Sequence, residues 1–306
     1  MKYTYYSEET DYSFSTENKR EALLNQYEFG GKVIDENGRD IVKEYFDIQR
    51  VWLYENSIGR PVMERLTYTD LDNNIQLKKG KVLSEEYLNK IEEYLNFGYE
   101  IDEYTSGVEA PHNLIRVCDT PEILSKCGFD DKPLFYTQKH LLDAIHPKEE
   151  DDPHYHGLSI GLIKQLPELL ENPVIVADNP SRDDALLVVL KAIDKEKLPI
   201  ICSIKPDGKG TYELKSIETN MILTVFGKNN FEKYFEKLLT PEKVVFIDKN
   251  RGRELERLTE RQLLRYYSNL NPDIIIKQPQ CIVNTKENKT DAVEVEEGAV
   301  NYGIIL

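Results

Sequence analysis

Residues 185–227 read ALLVVLKAIDKEKLPIICSIKPDGKGTYELKSIETNMILTVFG, and this stretch decides the fold. It contains consecutive apolar runs of strand length, each bounded by charged residues, proline or glycine, a pattern typical of β-strands. The segment KPDGKG at 205–210 offers several glycine positions for a tight turn between two of these runs. We therefore predict neighbouring antiparallel strands joined by a hairpin at KPDGKG.

The segments around this stretch predict helices packed on the sheet. Three helical patterns precede the strands, DTPEILSKCG at 119–128, TQKHLLDAIHP at 137–147 and LSIGLIKQLPELLENP at 158–173. Pro167 should kink or split the third, because proline removes a helical hydrogen bond. Helices followed by an antiparallel sheet indicate an α+β fold rather than the strand–helix alternation of a Rossmann fold.

The N-terminal third predicts a separate small α+β module. SEEYLNKIEEYLNFGYEI at 84–101 has a capping serine and an apolar stripe, which predicts an amphipathic helix. YFDIQRVWLYENSIGRPVMERLTYTDL at 45–71 alternates apolar and polar residues around NSIGRP, which predicts a hairpin. We place the domains at 1–102 and 116–284, with a mobile acidic tail at 285–306.

Charge and composition limit the classes of function. Residues 1–115 carry 13 Lys and Arg against 23 Asp and Glu, whereas residues 116–284 carry 24 against 27. Because an acidic surface repels nucleic acid, any nucleic-acid chemistry should lie in the second domain. The N-terminus lacks an apolar signal core and no run is long enough to span a membrane, so we expect a cytoplasmic protein without a membrane partner. The four cysteines lack metal or redox spacing and should be buried thiols.

Residues 139–157, KHLLDAIHPKEEDDPHYHG, contain four of the five histidines in the chain. Imidazole transfers protons near neutral pH and binds metals, so this cluster is a catalytic site, a metal site or a coincidence of composition. A metal site would combine His154 and His156 with His140, Asp151 or Asp152. The spacing matches no standard zinc signature, and we predict neither metal nor cofactor.

Helical geometry separates the histidines. His140 and His146 differ by about 240° around a helix axis, so their rings should point to different sides. His146 precedes Pro147 at a helix end, where a cation interacts favourably with the last carbonyls. His156 lies where a loop enters the next helix, whose N–H groups attract anions. We expect His140 and His156, but not His146, to face a common polar cleft.

Ordered blocks along the second domain resemble the C-terminal domain of phage MuF proteins, which also occurs in polyvalent proteins of phages and conjugative elements. The resemblance covers about 116–284 and rests on CDTPEIL, YTQKHL, HYHGLSIGLIKQLPELLENPVIV, IICSIKPDGKGTYELKSIETNMILTVFG and FEKYFEKLL. The family is regarded as toxin- or nuclease-like and similar to metal-independent RNases of the barnase/EndoU/RelE type. The resemblance thus implies helices followed by a four-stranded antiparallel sheet, and an RNA substrate.

If the resemblance holds, RNA supplies its own nucleophile, the 2′-OH, and the protein must supply a base, an acid and groups that hold the phosphate. His140 and His156 are the candidates for proton transfer. Lys205 would hold the phosphate and Thr224 would donate to it, although a solvated lysine and a structural strand threonine are simpler interpretations. Lys139, next to His140, is a candidate substrate contact.

A second basic feature lies in RGRELERLTERQLLRYY at 251–267, where Arg257 and Arg261 belong to a series of arginines spaced four apart. On a helix this spacing forms a basic stripe that could contact RNA phosphates. The interleaved glutamates favour a solvated helix that pairs its own charges.

The acidic N-terminal module favours a different class of function. Dense carboxylates mimic nucleic acid or fill a basic cleft. The alternative to an RNase is therefore a non-enzymatic interaction protein, such as an inhibitor of a host defence system that binds a host protein through this module.

Overall fold

The computed structural model describes residues 1–60, 67–69, 75–77, 83–107, 114–147, 155–238 and 243–260. The chain divides into two compact units, Met1–Leu95 and Asn96–Leu306. The division falls inside a helix and several residues before the domain end that we predict at residue 102. Residues 108–113, which belong to the segment between the two predicted domains, and the tail 285–306 lie outside the described residues.

Unit 1 contains a three-stranded antiparallel sheet in the order β2-β1-β3. Its elements are β1 (Tyr3–Tyr6), β2 (Ser13–Thr16), α1 (Lys19–Phe29), β3 (Lys32–Asp35), α2 (Ile41–Ser57), the paired strands β4 (Thr67–Thr69) and β5 (Ile75–Leu77), and the start of α3 (Glu85–Thr105). Tyr5, Ala22 and Val33 form a small buried cluster between α1 and the sheet. The α3 helix begins where the sequence predicts it, and the Ser84 hydroxyl accepts from the Tyr87 N–H at 3.2 Å.

The hairpin predicted for 45–71 is wrong, because residues 41–57 form the helix α2. Asp40 caps this helix by accepting from the N–H groups of Val42 and Lys43. Ile48, Val51 and Tyr54 are buried at intervals of three, which is a helical spacing. The alternation that suggested a strand came from apolar residues on the exposed side of the same helix.

Unit 2 is built around a seven-stranded sheet in the order β12-β8-β9-β10-β11-β7-β6. Its strands are β6 (Leu114–Cys118), β7 (Leu134–Thr137), β8 (Ile175–Asp178), β9 (Leu186–Ile193), β10 (Pro199–Tyr212), β11 (Lys215–Gly227) and β12 (Val244–Ile247). Its helices are α4 (Glu122–Lys126), α5 (Gln138–Ile145), α6 (Ile160–Lys164), α7 (Leu166–Glu171), α8 (Phe231–Leu238) and α9 (Lys249–Thr259), in addition to the end of α3. The α+β class is confirmed, and the helix expected at 158–173 is split in front of Pro167.

Unit 2 departs from the expected pattern in three ways. Its sheet is mixed rather than antiparallel, because β7 pairs with β11 in parallel, and the sheet has seven strands where the resemblance implies four. The β6–β7 pair also precedes α5 along the chain, so helices do not simply come before the sheet.

The hairpin turn predicted at KPDGKG is wrong. β10 runs through this segment with an irregularity between Lys205 and Gly208, and the turn lies at Glu213 and Leu214, which both have positive φ. A Cβ atom on Gly210 would lie 2.3 Å from the Leu114 side chain of β6. This glycine therefore permits close packing across the sheet rather than a turn.

The two faces of the sheet are covered by different helices. Val188, Cys202 and Val225 point to the face that packs against α5, α6 and α7. Val189 and Ile201 point to the other face, where Phe231 and Phe235 of α8 and Leu255 of α9 cover them. Each strand thus alternates between two apolar cores, as expected for a sheet between two helical layers.

The three described cysteines, Cys118, Cys127 and Cys202, are buried thiols, as the sequence predicts; Cys281 lies outside the described residues. Burial raises the pKa of Cys127 to about 12, which makes this thiol unreactive near neutral pH. Among the described helices, none is both long and apolar enough to cross a membrane.

Candidate functional site

His140 is held in the first turn of α5, where strand β7 passes directly into the helix. The Thr137 hydroxyl accepts from the His140 N–H at 3.2 Å and caps the helix. The buried Tyr136 hydroxyl donates to the His140 carbonyl at 3.1 Å. Burial keeps the pKa of Tyr136 well above its ordinary value, so this hydroxyl remains a donor. His140 is thus fixed from the strand side, while its side chain is 37% exposed.

Asp143 connects His140 with His156. One Asp143 carboxylate oxygen lies 3.6 Å from His140 Nδ1, one helical turn away. The Asp143 backbone carbonyl accepts from the His156 N–H at 3.0 Å. The same loop continues this pairing, since the Leu158 N–H donates to the Ala144 carbonyl at 2.9 Å. The loop before α6 therefore lies along the C-terminal turn of α5 and brings His156 next to Asp143.

The rings of His156 and His146 stack on different aromatic partners. His156 lies on Phe226, at the end of β11, with ring centroids 5.0 Å apart and an angle of 26°. His146 stacks on Tyr155 with centroids 4.1 Å apart. Asp143 contacts the His140 ring through its carboxylate and the His156 main chain through its carbonyl, while a common cleft for the two rings stays a prediction. His112 and His154 lie outside the described residues.

Lys228 extends the same group of aromatic contacts. Its ammonium lies 5.6 Å from the Phe226 ring centroid and 4.2 Å from that of Tyr234 on α8. Burial lowers the pKa of Lys228. Burial also raises the pKa of Tyr234, against the opposing effect of a hydrogen bond with Ser181. These contacts link β11 and α8 to the loop that follows β8.

Thr224 and Lys205 lie on the sheet near that loop. Thr224 is the cross-strand partner of Ser203, and the Asn179 side-chain amide donates to the Ser203 hydroxyl at 3.0 Å. Ser203 and Lys205 share with Ile201 the face of β10 that α8 and α9 cover, opposite α5 and His140, because alternate residues of a strand point to the same side. This face carries two hydroxyls and an ammonium in place of the apolar residues found further along the strands.

The Lys205 ammonium is held in an ion pair. It lies 2.9 Å from Asp184, and Arg182 binds the same carboxylate through two nitrogens at 2.9 and 3.1 Å. The hydrogen bonds from Arg182 and Lys205 hold the pKa of Asp184 far below its ordinary range. Two cations thus share one carboxylate, and the neighbouring Asp183 adds a second negative charge.

A shallow cavity of about 170 Å³ opens beside this ion-pair group. The residues that line it include Asn179, Arg182 and Lys243 together with the acids Asp178 and Asp183. The cavity is large enough for a phosphate-sized group and has cations in its wall. It lies on the Asn179 side of the site rather than at the histidines.

Three further residues, Lys139, Arg257 and Arg261, were predicted to contact the substrate. Lys139 is exposed on α5, next to His140. Arg257 is exposed in the last turn of α9, and Arg261 lies outside the described residues. Because α9 and α5 pack on opposite faces of the sheet, Arg257 belongs to the helical layer that does not contain His140.

Metal binding has no support among the residues that the structure describes, where no group of three or more His, Cys, Asp or Glu side chains could hold an ion. The ligands considered together with His156, namely Asp151, Asp152 and His154, lie outside those residues.

The sequence alone does not point to several residues of the candidate site. Asp143, Arg182 and Asp184 are charged residues in a chain with 39 Lys and Arg and 55 Asp and Glu, so their type alone does not single them out. Phe226 and Lys228 lie on either side of Gly227, the last residue of β11. This sequence is typical of an ordinary strand end. For Asp143 alone a signal exists, since it lies one helical turn after His140.

Comparison with known proteins identifies the central part of unit 2. Residues 147–254 match the family model described as the phage MuF-C-terminal domain. This match confirms the expected resemblance over a narrower range than 116–284, and it includes His156, Lys205, Thr224 and Lys228. His140 and Lys139 precede the matched residues, and Arg257 follows them. No curated protein and no solved structure matches the chain.

Proposed function

We propose that the chain, which carries a phage MuF C-terminal domain over residues 147–254, is an effector of a phage or mobile element that cleaves RNA without a metal ion. The observation that carries this proposal is the position of Asp143 between two histidines. Its carboxylate faces His140 Nδ1 at 3.6 Å, and its carbonyl accepts from the His156 N–H. Phosphodiester cleavage requires a base and an acid, and Asp143 contacts the side chain of one candidate and the backbone of the other.

The residues have distinct roles in this reaction. A carboxylate beside Nδ1 favours the tautomer with its proton on that nitrogen, which leaves Nε2 of His140 to accept the proton of the RNA 2′-OH. The 2′-oxygen then attacks phosphorus, and the bond to the 5′-oxygen breaks. His156 donates a proton to this leaving oxygen. The products are a 2′,3′-cyclic phosphate and a 5′-hydroxyl.

Cations and hydroxyls on the α8 side of the sheet, opposite His140, would bind phosphates of the RNA beyond the one that is cleaved. Lys205 and Arg182 share Asp184, so an RNA phosphate can compete for either cation without leaving the carboxylate unpaired. Thr224 and Ser203 offer hydroxyl donors on adjacent strands. Lys139, Arg257 and Arg261 would contact the RNA backbone further away, where charge adds affinity without sequence preference.

The test is incubation of the full chain with transfer RNA and total RNA, in the presence and absence of EDTA. We expect cleavage that EDTA does not reduce and products that carry 2′,3′-cyclic phosphate. His140→Ala and His156→Ala should each reduce cleavage about 100-fold or more, as expected for loss of a general acid or base. His146→Ala is the matched control, because its ring stacks on Tyr155 instead, and it should remain active.

Three results would contradict the proposal. The first is absence of cleavage at every protein concentration. The second is cleavage that EDTA abolishes, which would indicate a metal site. The third is equal loss of activity in all three histidine variants that still fold, as judged by melting temperature.

A second candidate function is non-catalytic binding of a host protein through unit 1. The observation that favours it is exposed aromatic surface within this acidic unit, since Tyr27 is 85% and Phe29 63% exposed at the end of α1. Aromatic side chains amid charge are typical anchors of protein interfaces. A host protein retained by the full chain at low salt, lost in a Tyr27→Ser/Phe29→Ser variant and kept by His140→Ala would support this function. Equal retention by all three proteins would count against it.

A further inference from the structure

Lys228 occupies an unusual position immediately after β11. Its backbone N–H donates to the Pro199 carbonyl at 3.0 Å, so the start of the side chain is fixed to the neighbouring strand β10. The side chain then crosses two aromatic rings, Phe226 at 5.6 Å and Tyr234 at 4.2 Å from the ammonium. Such contacts stabilise a cation, and more strongly where water is excluded.

Two other lysines of the same sheet are paired with carboxylates, whereas Lys228 is not. Lys191 pairs with Glu254 at 2.9 Å and Lys205 pairs with Asp184 at 2.9 Å. Within the part of the chain that the structure describes, no carboxylate lies within 4 Å of the Lys228 ammonium. Burial lowers the pKa of this lysine, which indicates that its charge is partly desolvated and uncompensated. An anion that approaches it would therefore interact strongly.

The site for such an anion adjoins His156. The His156 ring and the Lys228 ammonium contact the same side chain, at 5.0 Å and 5.6 Å from the Phe226 centroid. Tyr234, the second ring beneath Lys228, lies close enough to Ser181, in the loop that also holds Asn179 and Arg182, for Ser181 to affect its pKa. A phosphate bound at Lys228 would thus lie between the histidine that we assign as the acid and the cations beside Asp184.

We propose that Lys228 forms a phosphate subsite for single-stranded RNA, with Phe226 and Tyr234 as its supporting wall. The inference rests on the proposed RNA cleavage and adds a binding residue to that site. The ligand class is a phosphodiester of RNA, because a single ammonium recognises phosphate as a point charge and His156 lies beside it. Lys228 then holds the chain next to the scissile bond without taking part in proton transfer.

The experiment measures binding rather than cleavage. A fluorescent 2′-O-methyl RNA oligonucleotide, which lacks the 2′-OH nucleophile, is titrated with the full chain at several salt concentrations. Lys228→Met keeps the length and apolar contacts of the side chain and removes only the charge. Lys228→Arg keeps the charge. Lys215→Met removes an exposed lysine from the far end of the same strand and is the matched control.

We expect Lys228→Met to reduce the slope of log K against log salt by about 0.7, the loss of one phosphate contact to a single strand. At 0.1 M salt this corresponds to a dissociation constant about fivefold higher. Lys228→Arg and Lys215→Met should keep the wild-type slope. A Lys228→Met slope equal to that of wild type, or an equal reduction in Lys215→Met, would overturn the proposal.

The design separates this inference from the proposed function. If the wild-type chain cleaves no RNA but shows the Lys228-specific change in slope, the subsite stands and the RNase activity fails. If it cleaves RNA and Lys228→Met binds as wild type does, the activity stands and the subsite fails. Melting temperatures verify folding, and Lys228→Gln replaces Lys228→Met if the latter does not fold.

Discussion

Asp143 contributes two different groups to the candidate site. Its carboxylate faces His140, and its backbone carbonyl accepts from the N–H of His156. Only the first group changes in Asp143→Asn, because the backbone is kept. Asp143 is therefore a positioning residue that orders one histidine through its side chain and the other through the main chain.

Asp184 links the candidate phosphate site to stability at acid pH. Hydrogen bonds from Arg182 and Lys205 lower its pKa below the ordinary value of about 3.9. A carboxyl group with a depressed pKa in the folded state stabilises the protein fully above the unfolded pKa and loses this contribution as pH falls through the folded pKa. The Asp184 side chain is 45% exposed, so solvent screening limits the effect to about 1 kcal/mol or less.

We predict that Asp184→Asn lowers the free energy of unfolding at neutral pH and that the difference from wild type shrinks below about pH 4. Urea unfolding between pH 7 and pH 2 measures this difference. Asp183→Asn, at the exposed neighbouring position, controls for the loss of one negative charge. A difference that stays constant down to pH 2 would show that the two ion pairs contribute nothing to stability.

The helix α5 is the element on which the proposed catalysis depends. Thr137 caps it by accepting from the His140 N–H, so the same hydrogen bond starts the helix and fixes the candidate base. The helix has only eight residues, from Gln138 to Ile145, and cannot rely on length for stability. Loss of the cap should therefore affect both the helix and His140.

We predict that Thr137→Ala lowers the free energy of unfolding by about 1 kcal/mol, the usual contribution of an N-cap side chain. RNA cleavage should fall as well, because the first turn loses its fixed position. Thr137→Ser keeps the hydroxyl and is the control, which should retain most of the stability and activity. If Thr137→Ala and Thr137→Ser have the same stability and cleavage rate, the cap does not position His140.

Local signals in the sequence predicted several elements correctly. Ser84 marks the start of α3, and Pro167 marks the break between α6 and α7. The α2 helix was missed because Phe46 and Ile48, and then Val51 and Leu53, are each two residues apart, as alternate residues of a strand are. The spacing of the buried residues is helical, but burial is decided by packing that the sequence does not display.

The position of the β10–β11 turn was not predictable from turn residues. Glu213 and Leu214 both adopt positive φ, a conformation that glycine or asparagine would normally supply. The glycines that suggested a turn at 205–210 instead allow close packing of β10 on its neighbours. Within the site, histidines were found because they are rare, whereas Lys228 depends on aromatic contacts from α8 and β11 that only the fold creates.

At the scale of the whole molecule, the two units have separate candidate functions. Every described residue of the proposed RNA site belongs to unit 2, while the exposed aromatic surface of α1 belongs to unit 1. The domain division itself is testable, because the chain has a single tryptophan, Trp52, and it lies in α2 of unit 1. Its fluorescence reports unfolding of unit 1, and RNA cleavage reports the state of unit 2.

Gly31 offers a way to destabilise unit 1 alone. Its φ is +88°, and a Cβ atom there would lie 2.1 Å from the backbone carbonyl oxygen of Tyr6. The backbone oxygen cannot move away as a flexible side chain would, so Gly31→Ala combines conformational strain with a clash inside the small sheet. Gly38 has a similar φ of +80°, but a Cβ atom added to it would meet no atom within 4 Å. Gly38→Ala therefore isolates the conformational cost, about 1 kcal/mol or slightly more.

We predict that Gly31→Ala lowers the free energy of unfolding by more than about 2 kcal/mol, because the clash adds to the conformational cost of about 1–2 kcal/mol. Urea unfolding followed by Trp52 fluorescence measures this loss, and Gly38→Ala should lose clearly less. RNA cleavage by Gly31→Ala, assayed without urea, should remain close to wild type, because the proposed site lies in unit 2. If cleavage falls in proportion to the Trp52 signal, the two units depend on one another, and the acidic unit must be counted as part of the RNA-cleaving protein.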